Sequence, residues 1–155
     1  RGTFARRKGI LCCLSRGTDD VKIKRLEHVA ITVNDMDEAK NTWASVLGIT
    51  QEYEEQIGQT RLAMLPVGQT YIELLSAQGP DSPVNEWKDK HGESLWHLCF
   101  EVEDIDEAVV ELKGKGVKLL NEEPKPGHGG SRIVFIDPVS TGNVLIELAE
   151  IPQGH

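Results

Sequence analysis

The chain has 155 residues, 39% of them hydrophobic, which fits one domain with a proper core and excludes wholesale disorder. A formal net charge of -8 and a pI near 5.1 exclude a broad nucleic-acid or anionic-membrane surface, because neutralising phosphates needs clustered Lys and Arg. No apolar run reaches the length of a membrane-spanning helix.

The first 18 residues, RGTFARRKGILCCLSRGT, carry five basic residues and no acid. That Arg-rich, acid-poor composition is the composition of a mitochondrial presequence, so the matrix is the alternative to a cytoplasmic location. Residues 1–21 are expected to be a basic extension outside the fold, which starts near Lys22. Three cysteines, Cys12, Cys13 and Cys99, are odd in number and lack C-x-x-C spacing, so they point to a reducing compartment and no disulfide framework.

The run HVAITV, from His28, alternates as a strand, with Val29, Ile31 and Val33 on one face and His28, Ala30 and Thr32 on the other. A helix follows, capped by Asn34 or Asp35, with Met36, Ala39, Trp43, Val46 and Leu47 on one side and a stop at Gly48. Three strands are expected next, ITQEYEEQ, TRLAMLPV and TYIELLSA, broken at Gly58 and Gly68. The stretch DSPVNEWKDKHG reads as a linker helix with Ser82 as cap and Pro83 in its first turn. The order then repeats: strand WHLCFEV, a helix carrying Ile105, Ala108, Val109 and Leu112, a stop at Gly116, and strands KLLNEEP, SRIVFID and VLIELAE.

The repeat is in register, since His28 and His97, Asp35 and Asp104, Asp37 and Asp106, and Ala39 and Ala108 are each 69 positions apart. The fold class is therefore α+β, two tandem βαβββ modules forming a cupped mixed sheet. The single domain is expected over 22–151, with repeat one at 26–79, the linker helix at 80–93 and repeat two at 94–150.

In each repeat the last strand carries an acid between apolar neighbours, Glu73 in YIELL and Glu147 in LIELA. If Ile72, Leu74, Ile146 and Leu148 pack on the helices, the two acids point to the opposite face. A lone histidine opening a strand is most often structural, as is a lone acid in one. A His and a Glu recurring at matching places in both halves read instead as one metal site, because buried carboxylates without partners are too costly to keep for packing. The candidate ligands are His28, Glu73, His97 and Glu147, a mixed nitrogen and oxygen set suited to one divalent ion such as Co, Mn, Ni or Zn. His91, His128 and His155 have no counterpart in the other half. The Gly-rich stretch PKPGHGGSR places Lys125, His128 and Arg132 beside flexible backbone, where they could bind substrate phosphates.

The duplicated unit with these residues resembles the vicinal oxygen chelate superfamily, to which glyoxalase I belongs, and from Lys22 to Glu150 the methylmalonyl-CoA epimerase family in particular. The resemblance is carried by RLEHVAI, DSPVNEW, LWHLCFEVEDIDEAVVELKGKGVKLLNEEPKPGHGGSRIVFIDP and STGNVLIEL. It implies a vicinal oxygen chelate fold, a single divalent metal on His28, Glu73, His97 and Glu147, and interconversion of R and S methylmalonyl-CoA by proton abstraction at C2 through a metal-stabilised enolate. Glu147 would act as ligand and as one base. Family members often carry Gln at the place of Glu73 and a second Glu in the strand that reads TRLAML, where no acid stands near Arg61 and Leu62. They also commonly have His at the places of Trp96 and Asp137 and Lys at that of Val139. Glu54 and Glu55 lie upstream and replace the second base only if the hairpin bends them inward; otherwise a water or another group must reprotonate.

Two other functions share the fold. A glyoxalase I-type lactoylglutathione lyase would run the same chemistry on a glutathione hemithioacetal, and a resistance-type binding protein would sequester a small molecule without turnover. The expected partners are an acyl-CoA thioester and a second copy of the chain in a homodimer, with no nucleic acid and no membrane.

Overall fold

The two histidine-led runs become neighbouring strands at the middle of one sheet. The computed structural model describes residues 20–154; the basic stretch up to residue 19, with Cys12 and Cys13, and His155 lie outside the described residues. In chain order the elements are β1 (Ile23–Thr32), α1 (Met36–Leu47), β2 (Tyr53–Ile57), β3 (Thr60–Val67), β4 (Thr70–Ala77), α2 (Pro83–His91), β5 (Ser94–Val102), α3 (Ile105–Gly114), β6 (Lys125–Pro126), β7 (Arg132–Ile136) and β8 (Ile146–Glu150). The sheet order is β2-β3-β4-β1-β5-β8-β7-β6. β1 and β5 pair antiparallel at the seam, and each lies parallel to the last strand of its own repeat, β4 or β8. This is the α+β architecture of two βαβββ modules in one curled, mixed sheet.

Helix starts follow the capping signals. The Asp35 carboxylate accepts from the Asp37 and Glu38 amides, and Asp104 repeats the device on Glu107. Ser82 caps α2 with Pro83 in its first turn. α3 buries Ile105, Ala108, Val109 and Leu112 against Val102, Val134, Ile136 and Leu148. α1 packs Met36, Ala39 and Trp43 on Val33, Ala63, Leu65 and Leu74. Each fully buried Leu contributes about 1.5–3 kcal/mol, so these two layers hold the sheet's convex face. Val21 packs at the edge of the α3 cluster and Asp20 pairs with Lys115 at 3.1 Å, so among the described residues contacts with the fold already precede Lys22.

The structure differs from the sequence expectations in several places. Val46 and Leu47 are 72% and 60% exposed, because α1 touches the sheet only with its first two turns. β2 starts at Tyr53 rather than at Ile49, whose amide instead bonds back to the Trp43 carbonyl after the left-handed turn at Gly48. KLLNEEP forms no strand. Its ladder runs through Lys118 and Leu120 only, and then the Asn121 side chain takes the Phe135 amide at 2.9 Å in place of a backbone carbonyl. Pro124 has no N–H to donate, and backbone pairing with β7 resumes only at the two residues of β6. Nor is the concave face free of helices. α2 seats Val84 in a third cluster with Ala30, Leu62, Met64 and Leu75 and closes one end of the cup. The edge strands β2 and β6 are mostly polar, and the exposed apolar side chains lie elsewhere, among them Val46, Leu47 and Val110 on α1 and α3. Among the described residues no helix is long and apolar enough to cross a membrane.

Candidate metal centre

Two irregularities in the β1–β5 ladder set the site. Leu26 pairs with Phe100 and His28 with Cys99, so Glu27 is an extra residue in β1; Ala30 pairs with His97 and Ile31 with Leu95, so Trp96 is an extra residue in β5. Each bulge stands directly before the repeat's histidine. A bulge breaks the alternation of side chains, which lets Glu27 and His28 be buried together although they are neighbours in a strand. Glu73 sits beside Ala30 in the parallel β1–β4 pair, and Glu147 beside Cys99 in the β5–β8 pair. Their flanking residues Ile72, Leu74, Ile146 and Leu148 pack with the helix-side clusters, which turns both acids to the concave face.

There the four residues meet, each 5% exposed or less. His28 Nε2 lies 3.1 Å from Glu73 Oε2, 3.5 Å from Glu147 Oε2 and 3.2 Å from His97 Nε2. His97 Nε2 lies 2.6 Å from Glu147 Oε2 and 3.9 Å from Glu73 Oε2. Donors around an ion with bonds of about 2.0–2.2 Å stand about 3 Å apart when adjacent and about 4 Å apart when opposite, and the observed spacings fall close to that range. The charge argues the same way, since two buried carboxylates require a cation between them. Without an ion, protons serve. Burial alone would lower His28, but the Glu73 carboxylate lifts it well above the ordinary imidazole range. Burial would raise Glu147, but His97 and His28 hold it well below the usual carboxylate range. The donor set therefore fits a divalent ion that displaces those protons.

The three residues of the Gly-rich stretch part company. His128 is buried with its ring edge-on to His28, centroids 5.1 Å apart. Its Nδ1 is 2.9 Å from the Tyr53 hydroxyl, and its Nε2 is 3.2 Å from Glu27 Oε2 without an aligned hydrogen bond. Lys125 is exposed on β6. Arg132 makes a bidentate pair with Asp106 at 2.7 and 2.8 Å and takes no part in the cluster. Of the acids considered as second base, Glu54 is bound by Lys40 and Arg61, and Glu55 accepts from the Gly129 amide at 2.8 Å.

Sequence reasoning missed Glu27 and Tyr53. Strict alternation places Glu27 on the face opposite His28, and the only available sign was that it stands 69 positions before Trp96. Its carboxylate accepts a hydrogen bond from His28 Nδ1. Burial raises the Glu27 carboxyl, yet His128 and His28 outweigh it and bring it to about 2. Cys99, also buried beside His28, has its thiol pushed up to about 12 by burial and serves as a protonated packing group.

A cavity of about 380 Å³ opens over the cluster, walled by apolar side chains including Leu62, Leu75, Trp96 and Phe135. Glu73, His97, His128 and Glu147 supply its polar floor. Such a cup can shield a small ligand from water while its polar atoms face Glu73, His97 and Glu147.

Residues 27–135 match the family model described as Glyoxalase/Bleomycin resistance protein/Dioxygenase superfamily. The chain is 35% identical over 133 residues to "Methylmalonyl-CoA epimerase, mitochondrial" of Mus musculus, covering 83% of this chain and 74% of that protein. It is 36% identical over 135 residues to "Ethylmalonyl-CoA/methylmalonyl-CoA epimerase" of Cereibacter sphaeroides, covering 83% and 99%. Among solved structures, a variant of Streptomyces coelicolor methylmalonyl-CoA epimerase in complex with 2-nitronate-propionyl-CoA superposes with a TM-score of 0.81 at 31% identity, covering 85% of this chain and 97% of that one.

Proposed function

The chain belongs to the glyoxalase/bleomycin resistance protein/dioxygenase superfamily, among the enzymes akin to methylmalonyl-CoA epimerase, and from that premise we propose that it is a metal-dependent epimerase of methylmalonyl-CoA. The observation that carries the reading is the convergence of His28, Glu73, His97 and Glu147 beneath an apolar cup. These four residues hold one divalent ion, of the Co, Mn, Ni or Zn kind. When bound, the ion stabilises the negative charge that develops on the thioester and carboxylate oxygens as the C2 proton leaves.

The remaining work falls to the chain. Glu147, ionised and at the cup floor, takes the C2 proton on one face and returns it to the same face in the reverse direction. Leu62, Leu75 and Phe135 enclose the methyl group and exclude bulk water, so that the enolate is reprotonated rather than lost to side reactions. Leu62 faces the cup and Glu54 and Glu55 are engaged elsewhere, so a single admitted water or another group delivers the proton on the opposite face. Lys125, exposed next to the cup-lining Pro126, meets the CoA phosphates, whereas Arg132 is already paired.

The domain extends over about 20–151, with the basic stretch ahead of it as an extension. The protein acts as a homodimer, a reading supported by the exposed apolar side chains on α1 and α3. It works in the cytoplasm, or in the mitochondrial matrix if the basic stretch is a presequence.

Racemic methylmalonyl-CoA in deuterium oxide tests the reading. The metal-loaded protein is expected to place deuterium at C2 of both isomers, and a chelator is expected to stop it. Turnover of a glutathione hemithioacetal would assign the lyase, and tight binding without exchange would assign a sequestering protein.

A further inference from the structure

We propose that Glu27 is the positioning residue for His28, held in turn by His128 and Tyr53, and that its absence from the second repeat makes the two imidazoles of the site unequal. The inference rests on the metal-dependent reading above. The Glu27 carboxylate is bonded to His28 Nδ1, and a carboxylate can only accept, so that nitrogen carries the proton. The Nε2 lone pair is thereby aimed at Glu73, Glu147 and His97, and the imidazole becomes more basic toward an ion there.

Glu27 does not hold its place alone. Its other oxygen lies 3.7 Å from the Arg25 guanidinium, and His128 Nε2 lies 3.2 Å from Oε2. His128 is pinned by the Tyr53 hydroxyl at 2.9 Å, and the next residue, Gly129, donates its amide to Glu55. The glycines make this approach possible. Gly129 has φ +58, and at Gly127 a Cβ would stand 2.5 Å from Ile133 Cγ2 and 2.6 Å from Ser131 Oγ. A loop of repeat two is thus clamped on repeat one, with its imidazole at an ion-pair distance of 3.2 Å from the carboxylate behind the candidate ligand, without an aligned hydrogen bond.

His97 has none of this. Trp96 stands where Glu27 stands in repeat one, and His97 Nδ1 is buried with no hydrogen-bond partner. Its ring is fixed by edge contacts to Trp96 and Phe135, with centroids 5.0 and 5.2 Å away. Packing orients this ring, but no charge strengthens it as a donor.

The test is binding of Co²⁺ to the full chain, measured by competition with a chromophoric chelator and by the visible absorption of the bound ion, beside thermal melts without metal. Glu27→Gln keeps the side chain's shape and removes its charge, and is expected to lower Co²⁺ affinity roughly 10–100-fold and to shift the absorption bands. Trp96→Phe is expected to bind Co²⁺ as the parent does. Should Glu27→Gln fail to fold, Tyr53→Phe has the same readout, with a loss of a few-fold expected. Unchanged affinity and spectrum in Glu27→Gln, or in Tyr53→Phe where only that variant folds, overturn the inference and leave the metal reading intact, as does an equal loss in Trp96→Phe. A parent chain that takes up no Co²⁺ would remove both.

Discussion

In the first repeat His28 is backed by a carboxylate, and in the second His97 lies between two aromatic rings. The strands that hold them are related by the same offset, and each carries its bulge one residue before the histidine. Duplication therefore reproduced the backbone device while the residue exposed by it diverged. A local distortion of two paired strands outlasts the identity of the side chain it displays, because removing the bulge would turn every side chain beyond it to the other face.

The acids at the ends of the two repeats break the comparison most strongly. Glu147→Gln keeps an oxygen donor and removes the base, so turnover on both faces should fall by roughly 10²-fold or more with metal still bound. Glu73→Gln, at the matching place in repeat one, should keep most activity, since a carbonyl oxygen still coordinates. Steady-state rates with metal content measured in parallel check both. Equal losses in the two variants would mean that Glu73 and Glu147 share one role.

That pair was legible in the sequence, and Glu27 was not, for a physical reason. Which face Glu73 takes is decided by its neighbours Ile72 and Leu74, which pack on a helix whose own apolar spacing is local. Which face Glu27 takes depends on the register between strands separated by 69 positions, and nothing in RLEH records it. The same limit applies to KLLNEEP. Its composition allows a strand, but whether the ladder continues is settled by Asn121 reaching Phe135 in another strand.

The helices offer the next contrast. α3 buries four apolar side chains, and α1 buries only Met36 fully. Leu112→Ala, near the rim of the α3 cluster, should cost about 2–3 kcal/mol in a denaturant titration, the lower part of the range for truncating a core leucine. A smaller loss would mean that α3 settles into the space left behind.

Asn121 makes the halves differ where repeat two lacks a regular outer hairpin. It is 8% exposed, and its side chain accepts from the Phe135 amide while donating to the Glu123 carbonyl at 2.7 Å. Asn121→Ala leaves the Phe135 N–H without its partner and should cost about 1–2 kcal/mol. Amide exchange localises the effect, with Phe135 losing protection and the matching β2–β3 hairpin of repeat one keeping its own.

The smallest effect belongs to the end of α1. Val46 and Leu47 fall on the helix's apolar side by spacing, yet they stand clear of the sheet because Trp43 is the last side chain to reach it before Gly48 turns the chain away at φ 69. Exposed apolar atoms gain nothing from folding, so Val46→Ser should change unfolding free energy by less than about 0.5 kcal/mol. The same substitution at Val109, which α3 buries, should cost several times more, because it both removes apolar area and places a hydroxyl in the core. If Val46→Ser instead lowers stability in a way that depends on protein concentration, the end of α1 is covered by a second copy of the chain. Sedimentation of the parent and the variant over a dilution series would then show a dimer that the substitution weakens.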